Sequence, residues 1–367
     1  MFYIPNLPAP ASDDMQKNGP PPKQKMSPRN VKRFHVQFNH IEKTLPYRPH
    51  PAGFGLTTAY DRREVETTMA LSASRFFRKH WKGYAFLIPV FAVLATFKYI
   101  PFFNALIMSF YDWNGANVRT FIGLDNFVQL FRDKTFYVSL KNMGIFTATG
   151  VLIQLTVPLL AAVLVFHVKK IRLQNMFKLW FVIPLVIPSI VIYLTWQWIF
   201  AGDYGVLNEL LEQLGLESWT HAWLGESKTA LTSVIFVNFP WIGGITFLIY
   251  LAGLMAISTE LFEVAKLDGM NVCQRFIHLE LPLVRSQLKM VTVLTIIQQI
   301  QSFENILVLT NGGPGQSTMT PALYLYIQGF SYSKMGYASA IGLVLFLLLL
   351  MLTWANNKFV KNTETID

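Results

Sequence analysis

Six apolar stretches, near 83–110, 140–166, 175–200, 229–256, 288–309 and 336–357, dominate the chain. At about 1.5 Å per residue, each is long enough to cross roughly 30 Å of hydrocarbon. Only helices and closed barrels satisfy every backbone group in lipid, and apolar runs of this length select helices. The sequence therefore predicts an all-α integral membrane protein with six transmembrane helices. Composition agrees, since 52% of the 367 residues are apolar and only 14% are charged, against about a quarter charged in soluble domains. Mean hydropathy is +0.36.

The formal charge of +10 suggests a nucleic-acid partner until it is located. Residues 1–82 hold fourteen Lys and Arg against six Asp and Glu, a net of +8. A basic flank ahead of a first span is a topology signal, so no nucleic acid is expected. Residues 1–74, with stretches such as NGPPPKQKMSPRN, are Pro-rich, polar and without apolar period, which reads as a disordered basic tail. Met69 opens MALSASRFFRKHW, a natural start, so residues 1–68 are expected to be an over-extended start. A tryptic peptide from upstream of Met69 in the native protein would overturn that. Residues 75–367 are expected to form the membrane domain.

Basic loop residues set the orientation. Arg75, Arg78, Lys79 and Lys82 precede the first stretch, Lys169, Lys170, Arg172 and Lys178 surround the turn after the second, and Lys358 and Lys361 follow the sixth. Asp203, Glu209, Glu212, Glu217 and Glu226 make the loop after the third acidic, hence external. Arg119, Arg132, Lys134 and Lys141 vote the other way, but six spans with both termini cytoplasmic violate the fewest loops. Residues 257–287, including the single cysteine Cys273, then lie in the cytoplasm.

That cytoplasmic segment, ELFEVAKLDGMNVCQRFIHLELPLV from Glu260 to Val284, is too polar to span. Ser258 or Thr259 can cap a short helix with acidic residues in its first turn. Gly269 permits a backbone turn that a side chain would hinder. A second short helix is expected from about Asn271 to His278, and Pro282 should stop further pairing before the fifth span. Leu261, Val264, Leu267, Phe276 and Leu279 are then free to pack inward or into a partner's groove.

Glu263, Val264, Ala265, Asp268, Gly269, Phe276, Leu279 and Leu281-Pro282 resemble the EAA loop, E-A-A-x-x-x-G-x(9)-I-x-L-P, of permease subunits in bacterial ABC importers. Val264 replaces the first alanine and Leu279 the isoleucine. YIPFFNALIMSFYDWNG (99–115), FIGLDNFVQLF (121–131), VLTNGGPGQST (308–318) and FSYSKMGYASAIGLVLF (330–346) resemble the carbohydrate-uptake branch of that family. The likeness covers roughly residues 80–357. It implies a bacterial inner-membrane, multi-pass protein whose EAA loop docks in a cytoplasmic ATP-binding subunit dimer. It also implies a second homologous permease completing the pathway and an extracytoplasmic solute-binding protein delivering substrate. Glu263, Ala265, Asp268, Gly269, Phe276, Leu279 and Pro282 are the residues the resemblance assigns to ATPase coupling.

The chain carries no G-x-x-x-x-G-K-[ST] phosphate loop, so it is not expected to bind ATP in the usual way. With the resemblance, this implies a transport subunit rather than an enzyme, with ATP hydrolysis expected in a separate partner subunit. Gln298, Gln301, Ser302 and Asn305 fall on one face of a helix, with Glu304 just off it. Polar groups within a membrane face a cavity or glue helices together, and amides and hydroxyls suit a polyhydroxylated substrate. Lys98 is expected to snorkel toward the outer surface, with a pathway contact as the alternative, and Trp180, Trp196, Trp198 and Trp241 to sit at interfaces or in packing, with stacking on a sugar as the other reading. NGGPG (311–315) is expected to be an external turn. No metal, cofactor or catalytic constellation is evident. The competing reading is an ion-coupled secondary transporter, which would want titratable groups near the midplane. An intramembrane enzyme would need clustered His, Asp or Ser within the spans, and none is seen.

Overall fold

The computed structural model describes residues 83 and 85–359. The expected tail 1–74, the basic flank Arg75 to Lys82 and Lys361 lie outside the described residues. Among the described residues the fold is helical, and its only sheet is an antiparallel hairpin of β1 (Tyr111–Trp113) and β2 (Arg119–Phe121). Sequence reasoning did not foresee that hairpin. Asn114 builds its turn by accepting the N–H groups of Ala116 and Val118 at 2.9 and 3.0 Å.

Three helices are long and apolar enough to cross a membrane unbroken: α1 (Ala85–Met108), α2 (Lys134–Phe166) and the last, Met335–Lys358. They coincide with the first, second and sixth apolar stretches. Lys98 stands exposed in a π-helical turn of α1.

The other three stretches are interrupted rather than continuous. α3 (Ile171–Val182) runs through a short 3₁₀ turn to Val186 and meets α4 (Ser189–Ile199) at 92°. Pro188 lies at that corner and ends the ladder because it has no N–H. The fourth stretch forms Ala230–Phe236, breaks over 237–243, and resumes as α5 (Gly244–Met255). The fifth forms α7 (Arg285–Gln301), extends at Ser302, and resumes at Glu304–Leu309. Between them, α6 (Thr259–Leu267) leaves α5 at 70°. The final helix, α8, extends to Phe359.

Helix α2 is the spine. Asp133 caps its start by accepting the Thr135 N–H at 2.8 Å. Phe136, Met143 and Phe146 of its first half enter one core with Phe200, Val234, Ile306, Leu323 and Ile341. Leu159, Ala162 and Val165 of its second half enter another with Phe247, Tyr250, Leu254, Val284 and Val291. At about 25 cal/mol per Å² these buried faces are the main cohesive term between helices in water, whereas in lipid close packing takes over that role.

The NGGPG segment is a turn, with Asn311, Gly312 and Gly315 at positive φ. It is held from α2, where buried Asn142 donates to the carbonyls of Gln316 and Met319 at 3.0 and 2.9 Å. The chain does not pass directly from this turn into α8. A further helix, Pro321–Tyr326 with a π turn to Ser331, intervenes, capped by Thr320.

Candidate functional site

In hydrocarbon an interrupted helix leaves backbone groups without ladder partners, and such breaks persist where they are buried in protein or line a cavity. Here all three interruptions border one space. Ile187 beside the first, residues 237–243 of the second and Asn305 beyond the third wall a cavity of about 620 Å³. Helix α2 contributes Thr149, Gly150 and Gln154, and α7 contributes Gln299.

The second break is braced by its own aromatics. Asn238 and Trp241 adopt φ of 69° and 57°, a region that costs an ordinary side chain on the order of 1–2 kcal/mol. The Trp241 indole N–H donates to the Ile235 carbonyl at 3.1 Å, satisfying an acceptor that the break frees. Phe236, Phe239 and Trp241 pack with ring centroids 4.9 to 5.1 Å apart, the separation at which aromatic pairs attract beyond simple burial.

The wall combines two kinds of surface. Trp180, Trp196, Trp241, Phe146 and Phe239 are its aromatic lining residues, while Gln154, Asn238, Gln299 and Asn305 carry amides. No lining residue carries a formal charge. Rings cover apolar faces of a ligand, and amides both donate and accept without requiring charge. Such a cavity is suited to an uncharged, hydroxyl-rich molecule.

Of the five polar residues expected in the pathway, Asn305 lines this cavity. Ser302 lies in the break, donating to the Asn305 side chain at 2.9 Å. Gln298 and Gln301 are exposed, Gln301 at the edge of a separate apolar cleft shared with Phe102, Phe303 and Phe346. Glu304 is exposed and accepts the Ser189 hydroxyl at 3.0 Å. The extended backbone at Ser302 ends the helical period there, so the residues on either side of it do not continue one stripe. Gln154, Asn238 and Gln299 were not singled out from sequence. The signal for the second break was present as NFPWIGG (238–244), turn-forming residues set in an apolar stretch.

The polar segment after α5 is compact. Ser258 is the N-cap residue of α6, without a side-chain cap bond, and Glu260 stands in the first turn. At the other end Gly269 takes φ of 74°, its N–H donates to Lys266 and the Met270 N–H donates to Ala265. These are the two bonds of a Schellman cap. Asp268 is the C-cap residue. Asn271 then opens a second helix through a reciprocal capping box with Gln274. That helix continues past His278 as a π turn, Phe276–Glu280, and through Leu281–Leu283, so Pro282 lies inside a helical turn instead of terminating one.

The two faces of α6 differ. Ala265 is buried at 4% exposure, whereas Leu261, Val264 and Leu267 are 43%, 54% and 87% exposed. Glu263 and Asp268 are exposed as well. Phe276 and Leu281 pack on the second core, Leu279 is half-buried, and Pro282 is exposed. The first helix thus offers an uncovered apolar ridge while the second anchors it.

A family model described as the binding-protein-dependent transport system inner membrane component matches residues 154–364. The probable ABC transporter permease protein YurN of Bacillus subtilis (strain 168) is 34% identical over 279 residues, covering 76% of this chain and 95% of that protein. The diacetylchitobiose uptake system permease protein NgcF of Streptomyces coelicolor is 32% identical, covering 71% and 77%. The arabinooligosaccharides transport system permease protein AraP of Bacillus subtilis is 32% identical, covering 76% and 88%. A bacterial ABC transporter involved in alginate import matches the fold with a TM-score of 0.69 at 22% identity, covering 79% of this chain and 100% of the matched chain.

Proposed function

Because the chain belongs to the binding-protein-dependent transport system inner membrane component family, we propose that it is the permease subunit of an ATP-driven importer for a neutral sugar or related polyol. The observation that carries this reading is the cavity: broken helices around an aromatic and amide wall without charge. Relatives named for diacetylchitobiose and arabinooligosaccharide uptake fit the same chemistry. An ion-coupled transporter would want titratable groups near the midplane of the pathway, and none lines the cavity, Glu304 lying outside it.

The proposed topology is six spans in the bacterial cell membrane, three continuous and three interrupted at the cavity, within a membrane domain of residues 75–367 preceded by the basic tail 1–74. Both termini and the 257–287 segment lie in the cytoplasm, as the basic residues direct. The ridge of Leu261, Val264 and Leu267, flanked by Glu263, Ala265, Asp268 and Gly269, docks a cytoplasmic ATP-binding subunit dimer. Phe276, Leu279 and Pro282 carry the movement into α7. Gln298, Gln301 and Glu304 are exposed on the surface of this chain, and polar groups within a membrane demand cover. A second homologous permease closes over them, so that each chain supplies half of the pathway, with Ser302 and Asn305 on the cavity side. An extracytoplasmic solute-binding protein delivers the substrate, by analogy with the alginate transporter solved with its alginate-pentasaccharide-bound periplasmic protein.

Affinity purification of the tagged chain from its native membrane in mild detergent, followed by mass spectrometry, tests this. Recovery of an ATPase, a second permease and ATP-dependent uptake of a neutral oligosaccharide is expected. A lone chain that transports without ATP would overturn the reading.

A further inference from the structure

Glu280 places a carboxylate where the protein has almost no water, its side chain 1% exposed. Oε1 accepts the Arg275 Nε–H at 3.1 Å and lies 2.9 Å from His167 Nε2. The Arg275 guanidinium also stands 3.3 Å from that His167 nitrogen and covers the Phe262 ring at 5.8 Å. Phe262 in turn meets Phe166 and His167 at 5.6 and 6.5 Å. Phe262 comes from α6, Arg275 and Glu280 from the second helix of the segment, and Phe166 and His167 from the end of α2. One node therefore gathers both helices of the proposed coupling loop onto the spine.

The backbone makes this pairing possible. Residues five apart in an α-helix point about 140° away from each other. Over Phe276–Glu280 the bonding is i to i+5, with the Leu281 N–H on the Phe276 carbonyl, which brings such residues onto one side. Arg275 and Glu280 straddle that π turn and meet.

A buried ionic group is a poor way to gain stability, because an apolar side chain of similar size would fill the space at less desolvation cost. The second oxygen, Oε2, is buried without a hydrogen-bond partner, so the carboxylate depends on the contacts at Oε1. We propose that Glu280 is a positioning residue for energy coupling. Through Arg275 and His167 it locks the loop to α2, and α2 supplies Thr149, Gly150 and Gln154 to the cavity wall. Displacement of the loop by an ATPase is thereby passed to the substrate pathway along α2 as well as through α7. This inference rests on the ABC-importer reading above.

The test uses the complete complex from native membrane, with Thr149→Cys on α2 as reporter in a Cys273→Ser background. Maleimide labelling is timed with and without ATP trapped by vanadate. With the native Glu280, trapping should change the labelling rate. With Glu280→Gln that response should fall on the order of tenfold, while complex yield and ATP hydrolysis stay at the parental level. His167→Gln, at a side chain 30% exposed, should weaken the response in the same way and decides the matter if Glu280→Gln fails to accumulate. A response that survives both substitutions overturns the proposal, as does one that falls only in step with yield and hydrolysis. A parental complex that contains no ATPase overturns the importer reading itself, and this proposal with it.

Discussion

Gly150 of α2 and Gln299 of α7 touch so closely that a Cβ at position 150 would stand 2.5 Å from the Gln299 amide nitrogen. The missing side chain is what lets the amide reach the cavity. Gly150→Ala would displace the end of a flexible side chain, at small cost to the fold, while turning the amide aside. We expect thermal stability near that of the native protein and oligosaccharide uptake with KM raised several-fold, the value of about one hydrogen bond. Transport kinetics in proteoliposomes check it, and an unchanged KM would remove Gln299 from the pathway.

Trp180 lines the cavity yet is 67% exposed, so its removal costs little packing within this chain. Trp180→Ala should weaken substrate binding by about 0.5–1.5 kcal/mol, up to roughly tenfold in KM, if its ring stacks on the substrate. Trp180→Phe should recover most of that. Equal KM for all three proteins would assign Trp180 to the membrane interface.

Gly269 meets no atom within 4 Å where a Cβ would go, but its φ is 74°. Strain, not collision, therefore governs substitution there. Gly269→Ala should cost about 1 kcal/mol and lower ATP-driven uptake. Gly269→Asn, which tolerates this conformation, should be milder. If Asn and Ala behave alike in paired uptake and ATPase assays, the left-handed turn is not what matters at this position.

Asp133 offers a pH test. Burial raises its pKa, but the Tyr324 and Tyr337 hydroxyls and the N–H groups of Thr135 and Phe136 favour the carboxylate and outweigh burial, leaving it below the ordinary value. A carboxyl depressed in the folded state stabilises above its unfolded pKa, and that contribution fades as pH falls from about 4 toward the folded value. Asp133→Asn should lower Tm at neutral pH and flatten the acid limb of the Tm–pH curve. Parallel curves in scanning fluorimetry would refute this.

Much of the loop was legible because its geometry is written locally. Glycine at the left-handed position and asparagine at the second cap each declare themselves within a few residues. The unbroken helices were legible from length and hydropathy. The interruptions were not, because averaging over an apolar stretch hides Pro188, the turn residues around Asn238 and the extended Ser302. The stripe read from Gln298 to Asn305 assumed a helical period that stops at Ser302. The cavity draws on four separate stretches, so its wall exists only in three dimensions. Arg275 and Glu280 escaped for a related reason, since a period of 3.6 sets them apart and only the π turn joins them.

The three interruptions also bear on stiffness. An unbroken helix resists bending because every turn is tied to the next, whereas a helix that stops and restarts can change its angle without losing a bond in either half. The membrane part is thus built as jointed rods around one long continuous helix, α2, and under the proposed reading the joints stand where cargo would rest. A molecule gripping Asn238, Trp241 or Asn305 would hold a hinge, making the posture of the rods and the occupancy of the cavity a single mechanical variable.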